Sequence, residues 1–246
     1  MTAVALGSVK GAPGVTTTAL AMAAAWPASR PLLVVECDPD GGVLAARREL
    51  AFEPGLVTLA AGLVRGTTAV ADHTQQLSDT VRVITAPATA EQVHLSLGAA
   101  EQGLWDALTA DGSDLVIDCG RLTASSPAAH LASLAEHVLL LARPTVEDVA
   151  LLRDRLPSLQ RAGLHPRVLL LDDGVYRTDE VAEAIGVTVL ARLPIDNRTA
   201  DALNGVTARP PVARSRLLRS VRQVIDHVLN PDPAMNGASG PAAARS

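Results

Sequence analysis

The chain has 246 residues, of which 48% are hydrophobic and 19% charged, and its formal net charge is −5. This length and this supply of apolar side chains suit one large α/β domain. Two tryptophans, one tyrosine and one phenylalanine are too few to build the stacking platforms of an OB-fold or RRM-type nucleic-acid reader. The mildly negative, spread charge also argues against a surface built as a whole to neutralise DNA or anionic lipid.

Short apolar runs alternate with helical patterns along the chain, an order typical of βαβ units and a mostly parallel sheet with helices on both faces. In chain order, we predict strands near 3–9, 31–36, 81–86, 115–118, 137–142, 167–171 and 188–193. We predict helices from about Thr16 to Trp26 and near 57–65, 90–110, 126–135, 146–162, 179–185, 198–203 and 212–229. The pattern predicts a single-domain, doubly wound α/β fold over residues 1–230.

After residue 230 the composition changes to proline, alanine, glycine, serine and asparagine, without apolar periodicity. We expect residues 231–246 to form a disordered C-terminal tail. The tail lacks the apolar face with which an amphipathic helix inserts into a bilayer, so we expect no autonomous membrane binding.

The two cysteines, Cys37 and Cys119, each lie in an apolar run beside an aspartate. We interpret them as small buried residues in a reducing compartment, because two thiols are too few for a metal site. The N-terminal apolar run has no basic stretch before it and no cleavage signal, and no run approaches the ~20 apolar residues of a membrane span. We therefore expect a cytoplasmic protein.

A glycine-rich loop follows the first predicted strand and begins with the only lysine of the chain. It reads Lys10-Gly11-Ala12-Pro13-Gly14-Val15-Thr16-Thr17-Thr18. In phosphate-binding loops, backbone N–H groups, a lysine and a Ser or Thr hydroxyl meet the phosphates and magnesium together. The N-terminus of the following helix adds a favourable field for negative charge. Val15 stands where the usual motif has its lysine, so the loop predicts a nucleotide-binding ancestry with altered phosphate contacts.

Carboxylates follow two further predicted strands. The second strand runs into the segment 36–42, which contains Glu36 and Asp38, and the fourth ends at Asp118. Ligands of doubly wound sheets bind beyond the carboxyl ends of the strands, so these groups are expected near the glycine loop. Magnesium is held by one or two carboxylates, a hydroxyl and substrate phosphates, which Asp38, Asp118 and Thr16 would supply. A tight turn without phosphate, aspartates that only cap helices or turns, and Lys10 as an ordinary surface lysine stay open as alternatives.

With these motifs the chain resembles the MinD/ParA family of deviant P-loop ATPases, over essentially residues 1–230. The positions that match the family's signature lysine, glycines and hydroxyl pair are Lys10, Gly11, Gly14, Thr16 and Thr17. Glu36 and Asp38 stand at the two aspartates of the family's second strand end, and Asp118 stands at the aspartate of a later strand. The segment 189–196 is similar to the strand-Pro-x-Asp segment near the family's adenine pocket.

The resemblance implies a P-loop NTPase-like fold, ATP and Mg²⁺ as cofactors, and a homodimer that sandwiches the nucleotide. The implied nucleotide-binding residues are Lys10, Gly11, Ala12, Pro13, Gly14, Val15, Thr16, Thr17, Pro194 and Asp196. The implied metal-binding residues are Thr16, Asp38 and Asp118. Lys10 and Asp38 are the implied catalytic residues, Lys10 by stabilising phosphate charge and Asp38 by orienting water.

Several positions depart from the family pattern. Val15 replaces the loop's second lysine, Ala12 a glycine and Asp40 a common glutamine, while 172–174 lies where many members have an asparagine-containing strand end. In the family the second lysine bridges the β- and γ-phosphates, and the signature lysine reaches across the dimer. The loss of one charge-assisted hydrogen bond, worth about 1.5–3 kcal/mol, predicts a roughly ten- to hundredfold lower affinity for nucleotide. Lys10 is the only ammonium left to compensate.

These features support one leading hypothesis and two alternatives. The first is an ATP-dependent dimerising switch with slow ATPase activity that positions or partitions a chromosome, plasmid, septum, or pilus or secretion apparatus. Members with irregular P-loops include the CpaE/TadZ-like proteins of pilus assembly, so its protein partner would belong to a partitioning or pilus/secretion system. The second is a pseudo-ATPase scaffold that keeps the fold without nucleotide turnover. The third is a dethiobiotin-synthetase-like ligase, for which no further substrate motif is present.

The last predicted helix carries a second candidate surface. Arg216, Arg219 and Arg222 recur at helical spacing opposite an apolar face. Such a stripe would bind DNA nonspecifically through phosphate contacts, as basic C-terminal residues do in ParA-like proteins. The alternative is a solvated face of a helix that packs on the core.

Overall fold

An eight-stranded sheet runs through the structure, a computed structural model that describes residues 1–11, 14–66, 69–207 and 215–231. Its strands are β1 (Ala3–Ser8), β2 (Leu32–Glu36), β3 (Gln75–Ser78), β4 (Val81–Ile84), β5 (Asp114–Arg121), β6 (His137–Ala142), β7 (Pro166–Leu171) and β8 (Val189–Leu193). They lie in the order β3-β4-β2-β5-β1-β6-β7-β8. Among these strands the β3–β4 pair is antiparallel and the other neighbours are parallel.

Ten α-helices lie within the described residues. They are α1 (Val15–Ala25), α2 (Leu44–Arg48), α3 (Leu56–Val64), α4 (Ala90–Ala100), α5 (Leu104–Ala110), α6 (Ala129–Leu134), α7 (Val146–Arg161), α8 (Thr178–Ile185), α9 (Asn197–Leu203) and α10 (Arg216–Leu229), with a 3₁₀ turn at Val70–His73. In this part of the chain, no helix combines the length and the apolar character needed to cross a membrane.

Both faces of the sheet are covered by packed side chains. The central strand β1 is buried along its whole length. Because successive side chains of a strand point to opposite faces, Ala3 and Ala5 join one core cluster while Val4 and Leu6 join the other. The second cluster also contains the inner faces of α1 and α10. This two-sided burial is what a parallel sheet requires, and it explains why the central strands read as continuous apolar runs.

A buried carboxylate anchors the edge of the sheet where β5 begins. Asp114 accepts hydrogen bonds from the Thr2 backbone N–H at 2.8 Å and from Trp26 Nε1 at 3.0 Å. Arg30 forms a two-point ion pair with the same carboxylate. Burial would raise the pKa of Asp114, but the hydrogen bonds from Arg30, Thr2 and Trp26 outweigh it and hold the pKa below its usual value. The start of β1, the end of α1 and the start of β5 are therefore tied together.

The structure confirms the mostly parallel, doubly wound α/β fold and all seven predicted strands. The prediction of one helix over 90–110 is wrong, because residues 101–103 form a turn that separates α4 from α5, and glycine at 103 has low helix propensity. β3 and the five-residue α2 were not predicted, since one is a polar edge strand and the other is very short. Residues 212–214 of the last predicted helix and 232–246 of the predicted tail lie outside the described residues.

Candidate functional site

The glycine loop joins the central strand β1 to the start of α1. Gly14 is the residue before the helix, and its φ of +87° lies in the left-handed region that favours glycine. The Ser8 hydroxyl donates to the carbonyl oxygens of Lys10 at 2.9 Å and Gly120 at 3.3 Å, which fixes the start of the loop beside the end of β5. Gly11 is exposed, whereas Ala12 and Pro13 lie outside the described residues. The loop therefore delivers the N-terminus of α1 to the carboxyl edge of the sheet, where phosphate would bind.

Val15 occupies the position of the missing lysine and is a packed core residue. Its side chain is only 5% exposed and belongs to the core cluster that contains Leu20, Met22 and the apolar face of α10. The first residue of α1 thus contributes to folding rather than to the charge of the loop. The next two residues, Thr16 and Thr17, place their hydroxyl groups at the helix start, Thr16 buried and Thr17 half-buried.

Asp118 lies fully buried near the end of β5, in register with the end of the neighbouring strand β2. Its Oδ1 accepts a hydrogen bond from the Gly120 backbone N–H at 3.1 Å. Burial raises the pKa of this carboxyl to about 6, while the nearby Thr16 hydroxyl and the charge of Arg47 act in the opposite direction. Its Oδ2 is buried and has no hydrogen-bond partner among the described residues. A buried acceptor left unpaired is costly, so this oxygen is suited to a cation.

Asp38 follows β2 and packs directly over the chain that follows Asp118. A Cβ atom at Gly120 would come within 2.0 Å of the Asp38 Cγ atom, and Gly120 has a φ of +52°. Asp38 Oδ1 accepts from the Asp40 backbone N–H at 3.0 Å, and burial raises the pKa of this half-buried carboxyl. Asp40 itself points outward and pairs with Arg121 at 3.1 Å. Glycine at position 120 is thus required for the two predicted metal-binding carboxylates to lie side by side.

Glu36, which precedes this loop, serves as a backbone clamp. Its Oε1 accepts from the N–H groups of Val43 at 2.6 Å and Leu44 at 2.9 Å, and its Oε2 accepts from Ala86 at 2.9 Å. Burial raises the pKa of this carboxyl to about 7, against the lowering effect of these hydrogen bonds. A Cβ atom at Gly42 would lie 2.7 Å from Glu36 Oε2, so glycine is needed for the close approach. The clamp joins the Asp38 loop, the start of α2 and the end of β4.

Lys10 lies on the α7 side of the site. Its side chain is 53% exposed, and its Nζ is 3.6 Å from Oδ1 of the buried Asp148 in the first turn of α7. Asp148 Oδ2 accepts from the Arg143 backbone N–H at 2.9 Å, which holds that carboxylate in place. In this structure the signature lysine therefore pairs with α7 and stays largely open to solvent.

Asp196, from the predicted adenine-side segment with Pro194, is a helix cap. Its Oδ1 accepts from the Thr199 backbone N–H at 3.1 Å and its Oδ2 from the Thr199 hydroxyl at 2.9 Å. Asp196 starts α9, and the far end of α9 lies beside α1. There the side-chain amide of Asn204 donates to Thr17 Oγ1 at 3.0 Å. The segment that begins at Pro194 thus connects to the glycine loop through α9.

Arg47 is a site residue that the sequence analysis did not identify. It lies on α2, its Nη1 donates to Asn204 Oδ1 at 3.0 Å, and its charge lowers the pKa of Asp118. The sequence feature that could have indicated a cation here is the pair Arg47-Arg48, a few residues after the acidic, glycine-containing segment 36–42. Its relation to Asn204 spans 157 positions of sequence and could not be inferred from that pair alone.

The last helix, α10, packs its apolar face on α1 and β8. Arg216 and Arg219 lie on the exposed face, and Arg222 is half-buried. The predicted separation into an apolar face and a basic face is therefore present, which is compatible with both interpretations of the arginine stripe.

The residues at the strand ends fit a magnesium ion held jointly by protein and phosphate. Asp118 offers an unpartnered buried oxygen, with the Thr16 hydroxyl and Asp38 beside it. No group of three or more His, Cys, Asp or Glu side chains that could hold a metal on its own occurs within the described ranges. Magnesium in proteins is typically held by one or two carboxylates, which leave positions for water and substrate phosphates.

A glycine loop that leads from a central parallel strand into a helix, with carboxylates at the neighbouring strand ends, defines a P-loop NTPase-type fold. Within that class, the chain has the fold of the MinD/ParA ATPases. The ParA family ATPase of Chlorobium tepidum TLS is 16% identical, with a TM-score of 0.77 over 94% of this chain and 98% of that one. The cell division ATPase MinD of Pyrococcus furiosus is 20% identical, with a TM-score of 0.72 over 93% and 98%.

The septum site-determining protein MinD of Pyrococcus horikoshii OT3, solved as a complex with Mg-ADP, is also similar in structure. It is 17% identical, with a TM-score of 0.71 over 98% of this chain and 99% of that one. No protein-family model matches the sequence, and no curated protein matches it significantly. The likeness is thus carried by the fold.

Proposed function

We propose that the protein is a cytoplasmic, ATP- and Mg²⁺-binding switch of the MinD/ParA type, which dimerises with nucleotide and hydrolyses it slowly. The observation that carries the proposal is the buried, unpartnered Oδ2 of Asp118 beside Thr16 and Asp38. A scaffold without ligand would be more stable with this oxygen paired or replaced. Its task would be to position or partition a cargo such as a chromosome, plasmid, septum, or pilus or secretion apparatus.

Within this proposal each residue has a distinct task. The N–H groups at the start of α1 and the Thr17 hydroxyl bind phosphate oxygens. The metal, when bound, neutralises charge on the phosphates, and Thr16, Asp118 and Asp38 hold it. Asp38 also orients the attacking water. Its carboxylate is only half-buried, and the missing side chain of Gly120 leaves room for this carboxylate.

Lys10 would complete the site of the second subunit. Its ammonium is mostly exposed, and its 3.6 Å contact with Asp148 is long for an ion pair, so little free energy opposes its release. A phosphate of a nucleotide bound in the facing subunit is a stronger partner, since charge-assisted bonds to phosphate are short and strong. The dimerising unit would be the domain of residues 1–230.

Calorimetric titration with ATP and magnesium tests the proposal. The wild-type protein is expected to bind, and Asp118→Asn should weaken binding at least about tenfold by removing a charged metal ligand. Asp40→Asn is the matched control, because Asp40 is an exposed carboxylate of the same strand-end cluster whose partner is Arg121. No binding by the wild-type protein at millimolar nucleotide would contradict the proposal.

The alternative proposal is a pseudo-ATPase scaffold, and the burial of Val15 favours it. The position that usually supplies charge to the phosphates contributes to the core instead. The same titration separates the two proposals, because a scaffold that does not need nucleotide is expected to show no binding at millimolar ATP.

A further inference from the structure

Two of the cations near the strand ends, Lys10 and Arg47, have different partners. Lys10 pairs with Asp148 on α7. Arg47 lies on α2, on the side of the loop that carries Thr17, and its charge reaches the buried carboxyl of Asp118. Arg47 thus contributes positive charge at the buried Asp118, while Arg121 acts on the more exposed Asp38.

The backbone of Arg47 is held firmly between α2 and the end of α9. Its N–H donates to the Val43 carbonyl at 3.0 Å, within the segment that the Glu36 clamp fixes. Gly205 has a φ of +74°, and a Cβ atom there would lie 1.9 Å from the Arg47 carbonyl oxygen. The neighbouring Arg48 donates to the carbonyls of Ala202 and Leu203 at 3.3 and 3.0 Å. Glycine at 205 thus allows the end of α9 to lie against α2 at this one residue.

The side chain of Arg47 is half-buried and held by a neutral partner. Asn204 Oδ1 accepts from Arg47 Nη1, and Asn204 Nδ2 donates to Thr17 Oγ1, both at 3.0 Å. Asn204 therefore keeps a guanidinium next to a hydroxyl of the glycine-loop helix. An amide oxygen is a weaker partner for a guanidinium than a phosphate, which offers bidentate, charge-assisted hydrogen bonds. Exchange of Asn204 for phosphate is thus favourable for Arg47, and it leaves the Thr17 hydroxyl able to donate to a phosphate oxygen.

We propose that Arg47 is the phosphate-binding cation of this chain's own site, in place of the charge that Val15 does not supply, with Asn204 holding it beside Thr17 until polyphosphate binds. This inference rests on the proposed nucleotide binding and names the residue that makes such binding feasible without the loop lysine. The ligand class is a nucleoside di- or triphosphate with magnesium. Lys10 is then free to serve the partner subunit.

Calorimetric titration of Mg·ATP into single variants tests the proposal. Arg47→Gln should weaken binding by about ten- to a hundredfold, and Arg47→Lys should restore most of the loss. Arg48→Gln is the matched control, because Arg48 belongs to the same helix and bonds to the same end of α9. It should leave affinity within about threefold. A larger gain from Val15→Lys in the Arg47→Gln background than in the wild-type protein would show that the two positions supply the same charge.

Four results would overturn the inference, and they are distinguishable from one another. Arg47→Gln binding as tightly as the wild-type protein removes Arg47 from the site. Equal losses in Arg47→Gln and Arg48→Gln assign the effect to α9 packing. No binding by the wild-type protein refutes the proposed function, and this inference with it. If the variants fail to fold, an NMR measurement on the wild-type protein still tests the contact. The ¹⁵N signal of Arg47 Nε–H should shift at saturating Mg·ATP, and an unchanged signal refutes the contact.

Discussion

Replacing Val15 by lysine should raise ATP affinity and lower stability at the same time. The gain comes from a charge-assisted hydrogen bond to phosphate, worth about 1.5–3 kcal/mol, which corresponds to a roughly ten- to hundredfold lower Kd. The loss comes from the core, because the valine side chain is 5% exposed and belongs to the core cluster that α1 shares with α10. Full burial of such a side chain contributes about 1.5–3 kcal/mol. Since the lysine stem retains part of this contact, we expect a loss of about 1 kcal/mol.

Calorimetry with Mg·ATP and urea unfolding without nucleotide measure the two effects separately. Val15→Met is the matched control, since it changes the volume at the same position without adding charge. It should reproduce a small change in stability and leave ATP affinity unchanged. If the lysine variant folds and binds ATP no more tightly than the wild-type protein, the start of α1 does not cradle phosphate and the reasoning fails.

Three further predictions concern other parts of the structure. Lys10→Ala should abolish an ATP-induced dimer in light scattering without changing the monomer's unfolding curve, and a dimer that survives would remove Lys10 from the mechanism. Asp114→Asn should lower the free energy of unfolding by about 2 kcal/mol at pH 7 by breaking the Arg30 pair. Because the folded-state pKa of Asp114 is lowered, this difference should be present above the unfolded-state pKa and disappear as the pH falls below about 4, whereas a constant difference contradicts the assignment. Gly120→Ala should cost more stability than Gly163→Ala and impair ATP binding, because both have positive φ but only at Gly120 would the new Cβ collide with Asp38; equal costs would refute the collision.

The sheet was predictable because its strands carry their own signal. Central strands of a parallel sheet are buried on both faces, so β1, β2 and β6 appear in the sequence as continuous apolar runs. β3 gives no such signal, since its residues Gln75–Ser78 alternate between half-buried and exposed at the sheet edge. The predicted 90–110 helix is two helices separated by a three-residue turn at 101–103. A turn this short hardly changes the apolar periodicity of the surrounding sequence, so the pattern does not reveal it.

The candidate site was predictable only where sequence order brings residues to the same edge. Asp38 follows β2 and Asp118 lies near the end of β5, and these strands pair in register, so the proximity of the two residues follows from the topology alone. The partners of the two cations were not predictable in this way. Lys10 contacts Asp148 and Arg47 contacts Asn204 only because α7 and α9 pack beside the site. The role of Glu36 as a clamp was not predictable either. It depends on backbone N–H groups of two separate segments, and backbone contacts leave no motif in the sequence.

The three carboxyls that end β2 and β5 have a consequence for the order in which ligands arrive. Asp118 raises the pKa of Glu36, Asp38 raises the pKa of Asp118, and the one lysine of the glycine loop pairs with Asp148 instead. A metal-free polyphosphate approaching this edge meets fixed charge of its own sign, while a divalent cation meets an attractive field. The nucleotide is therefore expected to arrive as its magnesium complex or after the metal. Affinity for ATP in the presence of a chelator should then fall far more than in an ATPase whose loop retains its lysine.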